Sequence, residues 1–497
     1  MASSFFRRFA VKRVAIAGAG IGTAGLTATE VRRRSAKNDP DVVTAASEQF
    51  HTSSIHPLPQ GWTGRIWQIR NDYPRSTPPT ATSSSRAAGL PPIDIPRIPV
   101  PDGGQEQDFP WLNVDFKTDP IRYCELVKEY CWEGNANNEF VVQNNTVRDW
   151  FHAPWMHWSS NGRECLNGLT FERSTPPLEF AKTQKRYLQT WACGYYNRTG
   201  ASLFGEVWAD PSNPQWATDV KFPSGTCVFK LLMTDATDEE VPTMKNSPSM
   251  KAVIAPTAPD PTKKAPNPKI RNTFASDLRL LQVDFAVRDD RGPIGWVFGT
   301  FMYDGNNPKA NPWDRVVPVG LMWGNDPNMN QEAFENGAKP EESWINPEAE
   351  TIRLTLGGKR PSWGWNGRLN GPADNFISAC ASCHSLAQKT GETSMVQPAP
   401  EYVNSKYIPQ NDKKTMNWFR NIPSGEPFTR NSTSGDYSLQ LMIGFHNYQS
   451  WLASTRGPLT GLLARTRIAV GLDDQLGGID KREGIRQGPD MRYEDVD

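Results

Sequence analysis

Residues 380–384 read Cys380-Ala381-Ser382-Cys383-His384. Two thiols three positions apart lie on one helical turn, where each can form a thioether to one of the two vinyl groups of a porphyrin. The residue that follows, His384, then lies under the iron as its proximal ligand. The spacing predicts one covalently attached haem c, held by Cys380 and Cys383 and ligated by His384. A zinc half-site would want two further Cys or His at similar spacing, and the chain has no second CxxC. A redox dithiol usually belongs to a βαβ unit, which the surrounding sequence lacks.

A haem that carries electrons usually takes Met or His on its other face, and Met raises the potential. Met416 lies 32 residues after His384 and precedes the last predicted helix; Met395 follows it by 11 residues, in a Pro-flanked loop. These two are the distal candidates, with an open site as the alternative. Neither sits in a Pro-Met dipeptide. Met442 and His446 fall inside the last predicted helix and read as core packing.

A second group is His152-Ala153-Pro154-Trp155-Met156-His157-Trp158, followed by Arg163, Glu164, Glu172 and Arg173. Read for chemistry, His152 and His157 are weak catalytic candidates for a substrate or second metal site. Read for structure, they are satisfied histidines in an aromatic corner. The second reading is favoured, because two His without a nearby third ligand make a poor catalytic metal site.

The elements that must position these residues are legible in outline. Asp119–Trp132 mixes apolar and charged residues at helical spacing. The segments 203–208, 226–234, 280–288, 295–303 and 315–323 are short, rich in Val, Phe and Trp, and bounded by turn formers, so they read as strands. Asp289–Pro293 (DDRGP) is a turn between two of them, and 256–268 (PTAPDPTKKAPNP) a surface loop. Helical patterns return at 374–386, 413–421 and 436–452. Trp is 18 in 497 residues, which implies a core or cleft rich in large amphipathic rings.

The stretch Asn375 to Ala387 (NFISACASCHSLA) resembles the start of a cytochrome c domain, with the first helix ending in the haem motif. The resemblance to c-type cytochromes covers residues 360–455. The remainder is similar to large bacterial cytochrome c family proteins, through WVFGTFMYDG and MNWFRNIPSGEPF. The resemblance implies electron transfer through the haem, an unidentified redox partner protein, and maturation outside the cytoplasm.

The N-terminus fits that expectation. Arg7, Arg8, Lys12 and Arg13 precede an apolar run over 14–29, and no acid appears before Glu30. A basic region followed by a short apolar one reads as a targeting segment. Two addresses fit, a bacterial export signal to the periplasm and a two-part presequence to the mitochondrial intermembrane space. Residues 14–29 are short for a bilayer span, which needs about 20, but long enough for a weak membrane anchor. Within them VAIAGAGIGTAG mimics a dinucleotide-binding fingerprint, but Thr23 replaces the third glycine and no βαβ unit follows.

Lys+Arg and Asp+Glu are both 54, so a dedicated nucleic-acid binder is not expected. A mean hydropathy of −0.60 excludes a polytopic membrane protein. The expected architecture is α+β and multidomain. It comprises a targeting or anchoring segment (1–34) and a Ser/Thr/Pro-rich disordered linker (35–108), from which 62–69 (WTGRIWQI) could dock on the body. A β-rich domain (109–358), a small all-α cytochrome c-like haem domain (359–456) and a C-terminal tail (457–497) follow. Five further cysteines remain. Cys124 and Cys131, seven apart on one helix, stand about 10.5 Å apart along its axis, beyond disulfide reach. The functional expectation is an exported monohaem electron carrier. The alternative is an oxidoreductase whose β-rich region holds a substrate site, and the remote alternative a non-haem structural or binding protein.

Overall fold

The structure is a computed structural model that describes residues 58–74, 109–156, 162–211, 213–256, 258, 260, 263, 270–389, 394–404 and 406–455. The targeting segment 1–34, the tail 457–497 and His157 lie outside the described residues.

A nine-stranded antiparallel sheet organises the chain, so the mixed α+β expectation holds, but the expected all-α domain at 359–456 is corrected, because residues 401–408 pair as strands and the segments after 358 share the sheet's core. Its strands are β1 (Trp150–Phe151), β2 (Thr170–Thr175), β3 (Leu188–Asn197), β4 (Cys227–Thr234), β5 (Ser249–Ala252), β6 (Ser276–Arg288), β7 (Trp296–Tyr303), β8 (Val316–Met322) and β9 (Ser343–Ile345). The order is β1-β3-β4-β6-β7-β8-β9, with β2 beside β1 on the outer edge of β3 and β5 beside β7 on β6. A separate hairpin joins β10 (Glu401–Val403) and β11 (Lys406–Ile408). The helices are α1 (Pro120–Trp132), α2 (Arg198–Val207), α3 (Gln331–Glu335), α4 (Pro347–Leu356), α5 (Cys380–His384), α6 (Asp412–Thr415) and α7 (Leu439–Thr455). Among the described residues no helix is long and apolar enough to cross a membrane.

Side-chain alternation sends neighbouring strand residues to opposite faces. Trp191, Cys193 and Tyr195 of β3, Phe229 and Leu231 of β4, and Val283 and Phe285 of β6 share one core with Tyr123 and Val127 of α1. On the other face Tyr196, Trp296, Phe298 and Met302 pack with Trp365, Phe376, Leu441 and Phe445. The sheet is thus covered on both sides, α1 on one and the segments around α5 and α7 on the other. Strands buried on both faces read as nearly continuous apolar runs, which is why β7 (WVFGTFMY), buried at all its residues, stands out in the sequence.

Helix α1 begins where expected. Pro120 fits the first turn, and the Asp119 carboxylate accepts the amide of Arg122 at 3.3 Å. Residues 203–208 correct the strand expectation, because they fall in and just after α2. The Asn197 side chain caps that helix by accepting the amide of Gly200 at 3.0 Å, and Leu203, Phe204 and Val207 are on its buried face. The 374–386 helix is shorter than expected, as only 380–384 coil. Within the expected linker, the segment 62–69 docks on the body as its sequence suggested. Trp67 and Ile69 are buried on the body, and the amide of Trp67 donates to the Cys165 carbonyl at 3.0 Å.

Candidate functional site

Helix α5 is a single turn held from several sides. The amide of Cys380 donates to the Leu369 carbonyl at 3.1 Å, and the Ser382 hydroxyl accepts the amide of Ala379 at 2.9 Å. The loop before it is clamped by buried arginines. Arg360 donates to the carbonyls of Pro372, Gly371 and Asp374, and Arg368 to those of Asn325, Asp326 and Met329. A guanidinium offers five donors in a fixed fork, so one side chain fixes several backbone segments.

His384 directs one ring nitrogen at the backbone. Its Nδ1 lies 2.8 Å from the Tyr437 carbonyl, which can only accept, so Nδ1 carries the proton. The lone pair is then on Nε2, the arrangement by which a backbone carbonyl orients a metal-ligating imidazole. Tyr437 and its neighbour Asp436 both have left-handed φ, 66° and 46°. Non-glycine residues hold that conformation at a cost, and only where the surroundings impose it. Here the Asp436 carboxylate accepts the amides of Phe222 and Gly425 and the indole of Trp296, and the Tyr437 hydroxyl donates to the Ile422 carbonyl. The turn that presents its carbonyl to His384 is pinned at both residues.

Opposite α5, the strand pairing aligns Gly194, Lys230, Asp284 and Thr300 across β3, β4, β6 and β7. Lys230 Nζ lies 3.7 Å from Glu172 and 3.5 Å from Asp284. Gln282 donates to Asp284 at 2.7 Å and to Asp374 at 2.8 Å, and the Thr300 hydroxyl donates to Asp284. Gly371 leaves room for the Gln282–Asp374 pair, since a Cβ there would sit 2.0 Å from the Gln282 amide and 2.5 Å from the Asp374 carboxylate. Although β4 and β6 are central strands, Lys230, Glu172 and Asp284 keep 25%, 23% and 21% of their side-chain surface. Val228, Ala286, Cys380, Cys383 and His384 are half-buried too. These residues form a partly exposed patch on the sheet face that packs with the segments around α5.

The electrostatics follow from enclosure. Burial pushes the Cys383 thiol up to about 11, raises that of Cys380 well above its ordinary value, and lowers His384 to about 4. Burial followed by the Asp374 charge lifts Asp284 to about 6, and burial also raises Glu172. For Lys230, burial acts to lower the value, but Glu172, Asp284 and Asp374 outweigh it and the ammonium is held charged.

The donor set fits a covalently attached haem. Two thiols stand on one turn, a neutral imidazole has its Nε2 lone pair clear of the backbone, and apolar Val228, Ala286 and Phe298 share the core with the motif. Among the described residues no cluster of three or more His, Cys, Asp and Glu could hold a bare metal ion. Met416 and Met395 both pack against this same core, Met416 at the start of the 3-10 turn Met416–Phe419. On α7, His446 Nε2 lies 2.8 Å from the Lys389 carbonyl, consistent with packing.

His152 is not part of this group. Its Nδ1 accepts the amide of Arg70 at 2.8 Å, and its ring packs on Trp67 and on Tyr195, a residue of the opposite sheet face. Burial followed by the charges of Arg163, Arg70 and Arg65 keeps it neutral. Glu172 was visible in the sequence only as a neighbour of the two histidines. Lys230, Asp284 and Asp374 carried no local signal, because strand pairing and a loop bring them together. No family model matches the chain, and no match was found among the curated proteins or the solved structures.

Proposed function

We propose that this chain is an exported monohaem c-type cytochrome. Cys380 and Cys383 form the thioethers, His384 is the proximal ligand, and Met416 or Met395 is the distal one. Residues 359–456 are the cytochrome c-like unit, with the β10–β11 hairpin inserted among its helices. The compartment is the bacterial periplasm or the mitochondrial intermembrane space, with residues 14–29 as a possible membrane attachment. The observation that carries the reading is the hydrogen bond from His384 Nδ1 to Tyr437, which frees Nε2 in a turn that also holds both thiols. When bound, haem supplies one-electron exchange, the electrons passing to and from a partner protein. The chain fixes the ring tautomer through Tyr437 and limits water through the buried rings around α5.

The test is a haem stain of the denatured protein with a pyridine haemochrome spectrum, after expression in cells that mature c-type haem. One covalent haem per chain is expected, and Cys380→Ala or Cys383→Ala should remove the two-thioether spectrum. A folded, exported chain without covalent haem would leave the remote structural or binding role.

The polar group opposite the motif favours a second reading, an oxidoreductase. Its substrate site is then formed by Lys230, Glu172 and Asp284, and His152 does not contribute. An ammonium among carboxylates can hold a small polar molecule and exchange protons with it. Haem spectra recorded with candidate small-molecule substrates distinguish the two. Under the enzyme reading Lys230→Met abolishes substrate-driven spectral changes but leaves reduction by dithionite intact. Under the carrier reading no substrate changes the spectrum in either protein.

A further inference from the structure

The five cysteines outside the haem motif are all buried, but their surroundings differ. Cys193 lies 3.7 Å from a nitrogen of Arg163, and Cys165 packs with Leu166 and Val253. Cys124 is seven residues before Cys131 on α1. Cys131 comes from the last turn of α1, and Cys227 opens β4 beneath it. Their sulfurs lie 3.6 Å apart across 96 residues of chain, and each residue is at most 1% exposed.

We infer that Cys131 and Cys227 form a disulfide that staples α1 to the central strand β4. Two sulfurs at 3.6 Å are in van der Waals contact. A bonded pair stands at about 2.05 Å, so closure asks for a relative movement of roughly 1.5 Å, within the swing of two χ1 angles. The backbone on both sides is held. The Cys227 amide donates to Asn197 at 3.0 Å, and the Cys131 carbonyl accepts from Asn135 at 2.8 Å. Closure therefore falls to the side chains.

Once the core is packed, no oxidant reaches either thiol, so the bond forms while the chain folds. The oxidant is a disulfide-bearing protein of the export compartment. One cysteine thiolate attacks its disulfide, giving a mixed disulfide and releasing a thiolate. The second cysteine thiolate displaces the oxidant. In sum the two cysteine S–H bonds are lost and one S–S bond forms, the oxidant's disulfide takes up the two electrons, and the two protons pass to its sulfurs, which leave as a dithiol. The inference rests on the exported compartment of the proposed function, since thiols in the cytosol stay reduced.

The experiment uses the full chain, exported and purified without reductant. It is alkylated in denaturant, digested and mapped by mass spectrometry. The expected result is a linked pair of peptides containing Cys131 and Cys227, lost on reduction, with Cys124, Cys165 and Cys193 alkylated. In Cys131→Ser, Cys227 becomes alkylatable. Reductant should lower the thermal midpoint of the parent chain to that of Cys131→Ser, which itself does not respond. Alkylation of both Cys131 and Cys227 without reductant, or linkage of either to another cysteine, overturns the inference. The parent map decides even if Cys131→Ser fails to fold. Haem measured on the same sample separates the two claims. Haem with alkylated Cys131 and Cys227 overturns the disulfide alone, and linked peptides without haem overturn the haem reading alone.

Discussion

His152 sets part of the acid limit of the fold. Buried, and accepting the amide of Arg70, it stays neutral in the folded chain far below the ordinary histidine value. In the unfolded chain it titrates near 6.5. Below that pH, down to its depressed folded value, the unfolded state binds a proton that the folded state lacks, so stability falls as pH falls. His446, also lowered by burial, acts in the same direction. Asp284 acts the other way. With its carboxyl pushed up to about 6, the folded chain holds a proton that the unfolded chain has released, and this contribution is lost as pH rises through that value. In urea midpoints measured from pH 7 to pH 5, His152→Gln, which keeps an acceptor for Arg70, should therefore lose less stability toward acid than the parent chain. An equal loss in that variant would show that His152 does not titrate on unfolding. The haem motif was legible at this scale because one helical turn fixes the relation of residues 380, 383 and 384. The neutrality of His152 was not, because it depends on a strap some 80 residues earlier in the chain.

Elements were legible where burial wrote a simple pattern. Strands β7 and β8 are central and covered on both faces, so their sequences are apolar runs between turn residues, while β4 and β6 were legible from their Val, Leu and Phe content. Strand β3 is equally buried but reads LQTWACGYYN, and its polar and glycine positions hid it. Gly194 is there for a tertiary reason. A Cβ at that position would lie 2.6 Å from the Gln440 amide, so its absence lets α7 approach the sheet. The segment 203–208 misled in the opposite sense. Its apolar residues form the buried face of α2, and over so short a run helix and strand periods cannot be told apart. Helix α7 was readable from the helical spacing of Leu439, Met442, Ile443, His446 and Tyr448, although the structure centres its buried side on Leu441, Phe445 and Tyr448.

At the scale of the molecule, the sheet and the segments after residue 358 share one core. Phe298 of β7 packs with its ring centroid 5.1 Å from that of His384, tilted by 44°, and Trp296 donates to Asp436. A chain ended at residue 358 should therefore expose Tyr196, Trp296, Phe298 and Met302 together. Such a face drives association, so it should elute as aggregate and bind a hydrophobic dye. A stable, dye-silent monomer would show that the β-rich part completes its own core.

The sequence by itself determined that residues 380, 383 and 384 share one turn, the antiparallel character of the middle of the chain and its Trp-rich core. These depend on spacing within one turn or on alternation within one strand, where covalent geometry sets the distances. Tertiary structure alone decided three things: which ring nitrogen of His384 is free, that Lys230 meets Glu172, Asp284 and Asp374, and that Cys131 lies on Cys227. Each joins residues tens to more than a hundred positions apart. Their meeting is set by strand order and by how α1 and the turn at 436–437 pack on the sheet, and no local pattern encodes it.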